Sequence, residues 1–461
     1  MATALLHRPL TSAQRDVLAR RLRQTRGLAA ISVPLAPGVD PAAVAVASRQ
    51  GDEPLFCFES EGSALAGLGC VHAVEETGRD RFTRAAVRWR KLASDAVCDA
   101  PEGPRGAGLI AVGGFAFADA GGQAAHWDGF APASLHVPEV SIAAAGTDVR
   151  LTIAAWGGGD VDATLARLEA RLASLVERPM PMLDPEPAGR TRVASVMPPE
   201  HFEDVIVRAT DRIARGDFEK IVLAREVAVR TARDHDAAAV YDVLRGAFGS
   251  CYVFLVARGD AAFVAASPEL LVRREGLRAQ TVALAGSIRR SADPAVDDHL
   301  GEQLLRSAKD RSEHAIVARR ISRTMRRRAL WVAAPDEPVI VKVANIQHLA
   351  TPIRAQLREP TGTLDLAASL HPTPAVGAEP ASAAAVIPAL EGLDRGWYAG
   401  AVGWTDSSED GELCVALRCA LLRGREARCY AGVGVVRESQ PAEELAETEV
   451  KLGALLPVLA L

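Results

Sequence analysis

Runs of strand length come in consecutive groups in this chain, and that grouping limits the folds open to it more than any other feature. Apolar stretches at 220–230, 251–257, 262–273 and 279–285 follow one another, the last two joined by the short turn "RREGLR" at 273–278. A second group falls at 398–404, 413–421 and 427–436. Parallel neighbours need a crossover of a dozen or more residues, so strands this close in sequence predict antiparallel pairing and an α+β fold rather than alternating βαβ units. Helical periodicity flanks the groups. "EHFEDVIVRATDRIARGD" sets Phe202, Val205, Ile206, Ala209 and Ile213 at helical spacing and ends near Gly216. A long helix is predicted over roughly 298–329 and a last one over roughly 441–457.

The stretch "ERPMPMLDPEPAGRTR" (177–192), rich in proline and polar residues, reads as a linker or long surface loop. It separates an N-terminal portion, 1–185, from a C-terminal portion, 193–461. Before it lie the short apolar runs "GLIAVGGFAFAD" and "VRLTIAAW" and an Ala/Leu/Arg helix at 160–176, a mixed α/β pattern without a catalytic signature. No internal repeat is present.

Composition removes several functional classes. A net charge of −5 gives no electrostatic footprint for nucleic acid, and the basic segment "RRISRTMRRR" (319–328) reads as the solvated face of a helix. No run of eighteen apolar residues occurs, which argues against a membrane span, and the first 27 residues lack the apolar core of a signal peptide. A cytoplasmic protein is expected, as a monomer or weak dimer. Seven cysteines without a Cys-x-x-Cys pair point to reduced thiols rather than a disulfide framework or zinc site.

Against this background the lysines stand out. Only five occur, at 91, 220, 309, 342 and 451, so 48 of the 53 basic side chains are arginines. Lys220 opens the apolar run Ile221-Val222-Leu223-Ala224. One reading is a strand-end cation that snorkels to water; the other is a base, because a buried lysine can shed a proton and an arginine cannot. Other segments invite similar scrutiny. Glu269 follows Pro268 at the start of a strand, and Gly286 and Ser287 end another, where a missing side chain lets a ligand approach the backbone. Glu313 lies mid-helix, Glu444, Glu447 and Lys451 share one helical stripe, and Gly432 and Gly434 sit in "YAGVGVV". Each also has an ordinary structural reading: an exposed i,i+4 pair for Glu447 and Lys451, a solvated Glu313, a strand-end Glu269, and bulges for the glycines. His314, His348 and His371 show no metal-ligand spacing.

The order of the segments narrows these choices. "FEKIVLARE", "ASPELLVRREG", "LAGSIRR", "KDRSEHAIV", "IQHLATP", "LHPTPAVGAEP", "RGWYAGAVGW", "LRCALL", "YAGVGVV" and "ELAETEVKL" succeed one another over 193–457 as in the chorismate-utilising enzymes. "GGFAF" and "WDGFAPASLHVPEVSI" resemble the leading half of the same family more weakly. The resemblance implies two stacked antiparallel sheets flanked by helices, holding one chorismate and one Mg2+, with 1–185 packed into the same unit as the chorismate-binding region.

Within that family the resemblance favours the isochorismate branch, in which water adds at C2 of chorismate and the C4 hydroxyl leaves. Lys220 matches the base of the isochorismate and salicylate enzymes, where anthranilate enzymes resembling this chain carry glutamine. Ala285 stands where aminodeoxychorismate enzymes often carry an attacking lysine. "HLATP" and Ala375 favour stopping at isochorismate over the pyruvate elimination of salicylate synthases, the nearest alternative. A non-catalytic relative is a third reading. By resemblance Lys220 is the general base, Glu269 the general acid, Glu313 and Glu447 the Mg2+ carboxylates, and Glu444 their helper. Arg418, Lys451 and the backbone around Gly286, Ser287 and Gly434 would bind the enolpyruvyl carboxylate, with His348 near the reacting hydroxyl. Val433, where relatives usually carry alanine, is expected to narrow the pocket. The long N-terminal portion leans toward the menaquinone-type rather than the siderophore-type enzymes.

Overall fold

A computed structural model describes residues 10–184 and 189–460. The 177–192 segment therefore lies partly outside the described residues, and its end forms the short strand Arg192–Ser195.

Two antiparallel sheets carry the molecule. The twelve-stranded sheet runs Leu28–Pro34, Asp148–Trp156, Val140–Ala145, Ser63–Leu68, Leu55–Ser60, Tyr252–Arg258, Ala261–Ser267, Cys419–Arg423, Glu426–Val435, Lys220–Arg230 and Ala378–Glu379, with Arg192–Ser195 beside Lys220–Arg230. The ten-stranded sheet runs Ala329–Ala333, Ile346–Leu357, Arg278–Arg289, Leu270–Glu275, Gly411–Val415, Ala401–Asp406, Ile110–Phe115, Ala133–Val137 and His72–Glu76, with Val339–Lys342 beside Ile346–Leu357. Both sheets cross the 177–192 boundary: Val253 pairs with Glu59 in one, and Val402 with Gly114 in the other. Between the sheets Ser60 donates to Glu412 at 3.1 Å and Arg273 to the Tyr252 hydroxyl at 3.5 Å.

The helices cover the outer faces for the reason their periodicity gives. Helix Pro199–Ala214 buries Phe202, Val205, Ile206, Ala209 and Ile213, and burying each of the larger aliphatic or aromatic side chains stabilises the fold by roughly 1.5–3 kcal/mol. The helix predicted over 298–329 is two helices, Pro294–Arg306 and Ala308–Arg326. Ser307 separates them, because its hydroxyl accepts the Asp310 N–H at 3.2 Å and caps the second. The last helix likewise divides into Pro441–Leu452 and Leu456–Leu459. The basic face at 319–328 is only partly solvated: Arg320 and Arg323 bind Glu379 at 2.8 and 3.0 Å, and Glu379 is the strand partner of Lys220.

Two expected continuous strands are broken, and the breaks position the site. The run 262–273 ends its first strand at Ser267 in the twelve-stranded sheet and starts its second at Leu270 in the ten-stranded one, so Pro268 and Glu269 form a crossover. The run 413–421 crosses back through Ala416, Leu417 and Arg418. The crossovers are laced side by side: Val415 N–H donates to the Glu269 carbonyl at 2.9 Å, and Ala266 N–H to the Arg418 carbonyl at 3.1 Å. Arg418 takes φ +48°, an uncommon conformation for a residue with a Cβ, and its place in this lacing holds it there.

Candidate active site

A cavity partly open to solvent lies where the crossovers pass between the sheets. Glu269 and Arg418 reach it from the crossovers, Glu313 from helix Ala308–Arg326, and Glu447 and Lys451 from helix Pro441–Leu452. Gly286, Ser287, His348, Ala375 and Gly434 complete its wall among the predicted residues. Two predicted residues do not line it. Lys220 is fully buried behind Glu313, and Glu444 is buried one helical turn from Glu447. Val433 is no lining residue either; it pairs with Leu223 and packs into the core, so the expected narrowing does not occur.

The glycines act through close approach. A Cβ on Gly434 would fall 2.0 Å from Glu313 Oε1 and 2.7 Å from Lys220 Cε, so its missing side chain is the space those two groups occupy. Gly432 and Gly434 keep regular register with Ala224 and Val222, which excludes the bulge reading for them. Gly286 is the bulge, in mid-strand rather than at a strand end, with φ +77° and a register shift between Ala285 and Ser287. The shift re-aims Ser287, whose hydroxyl donates to Glu447 at 2.7 Å.

Electrostatics separate the ionisable groups. Burial lifts the Glu269 carboxyl to about 8, against the pull of Lys220, Arg418 and Lys451, and Glu269 Oε1 has no hydrogen-bond partner among the described residues. Lys220 Nζ stands 3.0 Å from Glu313 Oε1, yet no acceptor meets it in hydrogen-bonding geometry. These two buried polar atoms, one on an acid and one on an amine, thus lack hydrogen-bond partners among the described residues of the site, as do Arg418 Nε and the Tyr430 hydroxyl. Burial and then Arg418 push His348 down to about 3, leaving a neutral ring. Arg418 Nη2 approaches His348 Nε2 at 3.2 Å. His314 is structural: its ring lies 2.7 Å from the Thr351 hydroxyl and 3.3 Å from the Ala285 carbonyl.

One wall is crowded with carboxylates. Burial and then the charges of Glu313 and Glu447 raise the Asp310 carboxyl, and burial and then Glu447 raise Glu444. Glu447 resists burial and stays below the usual range because of Lys451, with which it pairs at 2.7 Å. Hard oxygen donors crowded together suit a small divalent cation, which would relieve their repulsion. Among the described residues no three His, Cys, Asp or Glu side chains stand close enough to enclose an ion. The wall is therefore an open platform, with Glu313 and Glu447 facing the cavity, whose remaining ligands would be water and a bound reactant.

The sequence reading passed over Lys309, which binds Glu444 at 2.7 Å, and Tyr398, which lines the cavity with its hydroxyl 2.7 Å from where a Cβ on Gly432 would lie. Lys309 carried the signal that flagged Lys220, since it is one of five lysines. Tyr398 carried only its place in the ordered segment "RGWYAGAVGW". All seven cysteines are free thiols, and no helix among the described residues is long and apolar enough to cross a membrane.

Comparison with known proteins agrees with this geometry. The sequence matches the chorismate binding enzyme family over residues 13–460. It is 37% identical over 425 residues to the salicylate biosynthesis isochorismate synthase of Pseudomonas aeruginosa, covering 92% of this chain and 88% of that protein. Isochorismate synthase MenF of Bacillus subtilis is 33% identical over 403 residues, 86% of this chain and 85% of that one. The structure of MenF, the menaquinone-specific isochorismate synthase from Escherichia coli, superposes with a TM-score of 0.80 at 27% identity, covering 98% of this chain and 100% of that chain. A family match spanning both halves of two shared sheets leaves one assignment: the chain belongs to the chorismate binding enzymes.

Proposed function

We propose that the protein is an isochorismate synthase, an isomerase that interconverts chorismate and isochorismate with Mg2+. The observation that carries the chemistry is the pair of buried atoms without a hydrogen-bond partner at the site, Lys220 Nζ and Glu269 Oε1. Water is a poor nucleophile and hydroxide a poor leaving group, so moving a hydroxyl from C4 to C2 needs a base on one side of the ring and an acid on the other; each proton transfer is worth roughly 10²–10⁴-fold. Glu269, protonated up to about pH 8, can give its proton to the departing C4 hydroxyl. Lys220, whose Nζ lies 3.0 Å from the cavity-lining Glu313, is assigned to take the proton of the attacking water. Arg418 and Lys451, both lining the cavity, orient the enolpyruvyl carboxylate.

Mg2+, held by Glu313 and Glu447 with Glu444 assisting, would neutralise the ring carboxylate. The relatives' names support the assignment, and salicylate formation is the second reading because one relative is named for salicylate biosynthesis. The test is product chromatography after incubation with chorismate and Mg2+. The expected result is a stable mixture of chorismate and isochorismate, because one allylic hydroxyl replaces another. Sustained pyruvate release in a coupled dehydrogenase assay would move the protein to salicylate formation, and no turnover at all would leave it a non-catalytic relative.

A further inference from the structure

Three of the chain's five lysines stand against the three predicted metal carboxylates, one apiece. Lys220 is 3.0 Å from Glu313, Lys309 is 2.7 Å from Glu444, and Lys451 is 2.7 Å from Glu447. The remaining two lie elsewhere, Lys91 on Asp95 and Lys342 on Asp297 and Asp298. In a chain whose other 48 basic side chains are arginines, this placement demands a reason. Lys220 and Lys451 have one in the mechanism above. Lys309 does not.

Its position suggests the reason. Lys309 is the second residue of helix Ala308–Arg326, one turn before Glu313 on the same face. The Lys309 side chain is 28% exposed and that of Glu444 only 2%, so the ammonium lies on the solvent side of a buried carboxylate. Although burial opposes it, Glu444, Glu447 and Glu313 all strengthen Lys309's hold on its proton, which places it in the field of the whole cluster. An ammonium is a compact point charge on a flexible stem, able to pair with one carboxylate and then swing to water; a guanidinium forks across two oxygens and stays.

We infer that Lys309 is a positioning residue, the resident counter-ion of the carboxylate cluster, which holds Glu444 in place before a divalent cation binds and weakens cation affinity so that the ion can exchange. The inference rests on the Mg2+ reading above. A divalent cation held by Glu313 and Glu447 with Glu444 assisting would share that carboxylate cluster with the Lys309 ammonium, so like-charge repulsion and any loss of the Lys309–Glu444 pair would both subtract from its binding. Removing the charge while keeping the length of the side chain therefore tightens binding. A residue that merely braced Glu444 would do the opposite when removed.

The experiment measures metal binding to the purified full-length protein, with free Mn2+ counted by electron paramagnetic resonance and Mg2+ titrated by calorimetry. Lys309→Met is expected to bind either ion about tenfold more tightly than wild type, and Lys309→Arg within about threefold of wild type. Lys309→Gln serves as the second neutral variant, and thermal melts report whether each is folded. Unchanged or weaker binding by the folded neutral variants overturns the inference and leaves the Mg2+ reading standing. A wild type that binds neither ion, with chorismate present or absent, overturns both.

Discussion

The strands before the 177–192 segment and those after it share the same two sheets, yet every residue lining the cavity comes from position 222 onward. The N-terminal strands extend each sheet in regular register and fill the interior with Phe56, Phe58, Leu65, Val112 and Phe115. The C-terminal strands contain the interruptions: two crossovers, at 268–269 and 416–418, the bulge at Gly286, and further register shifts at Leu271 and Leu330. A regular strand can only alternate side chains between its faces, whereas a crossover or bulge turns a side chain or bare backbone into the space between sheets. One region thus builds the frame and the other interrupts it to make a site.

Substitutions should separate the two regions by the quantity they change. The largest effect is expected at the carboxylate wall, where Glu313→Gln and Glu447→Gln should each abolish Mg2+-dependent turnover while circular dichroism stays native. Turnover within a few-fold of wild type at limiting Mg2+ would remove both from the metal. Next, Lys220→Arg should be nearly as damaging as Lys220→Ala, each losing roughly 10²–10⁴-fold in turnover, about 3–5 kcal/mol of barrier, because a guanidinium keeps its proton. An arginine variant above a tenth of wild-type turnover would return Lys220 to an anchoring role.

A smaller, graded effect is expected from pH. The Glu269 carboxyl titrates at about 8 when folded and near 4.5 when unfolded. As a proton donor it works below its folded value, so single-turnover rates should fall as pH rises through about 8. Between 4.5 and 8 the folded state binds the extra proton, so this group also makes stability fall with rising pH in that window. Glu269→Gln should lose activity and flatten that part of the stability curve; an unchanged slope in denaturant titrations would show that Glu269 is ionised. The smallest effect belongs to the frame. Ile153 is fully buried in the N-terminal half, and Ile153→Val should cost about 0.5–1.5 kcal/mol of stability with turnover unchanged. A tenfold loss of turnover there would break the division between frame and site.

Much of this was legible from local pattern. The antiparallel fold followed from strands too close for crossover helices, and the buried face of Pro199–Ala214 from its spacing. Ten of the twelve predicted site residues line one cavity, because the ordered segments that suggested them are the strand ends, crossovers and helix faces converging there. The breaks at Ser307, at 268–269 and at 416–418 were not legible, since an apolar run looks alike whether it continues one strand or passes to the other sheet.

By itself, then, the sequence determined which segments are strands and helices and which residue types are scarce, because periodicity and composition are properties of neighbours along the chain. Tertiary structure alone decided which lysine meets which carboxylate, that Lys220 stands behind Glu313 rather than in the cavity wall, and that Val433 faces the core. Those facts depend on sheet register and helix placement joining residues far apart, such as Lys309 with Glu444 across 135 positions and Ser287 with Glu447 across 160. Shifting a strand by one residue would turn every one of its side chains to the opposite face while leaving the sequence pattern intact.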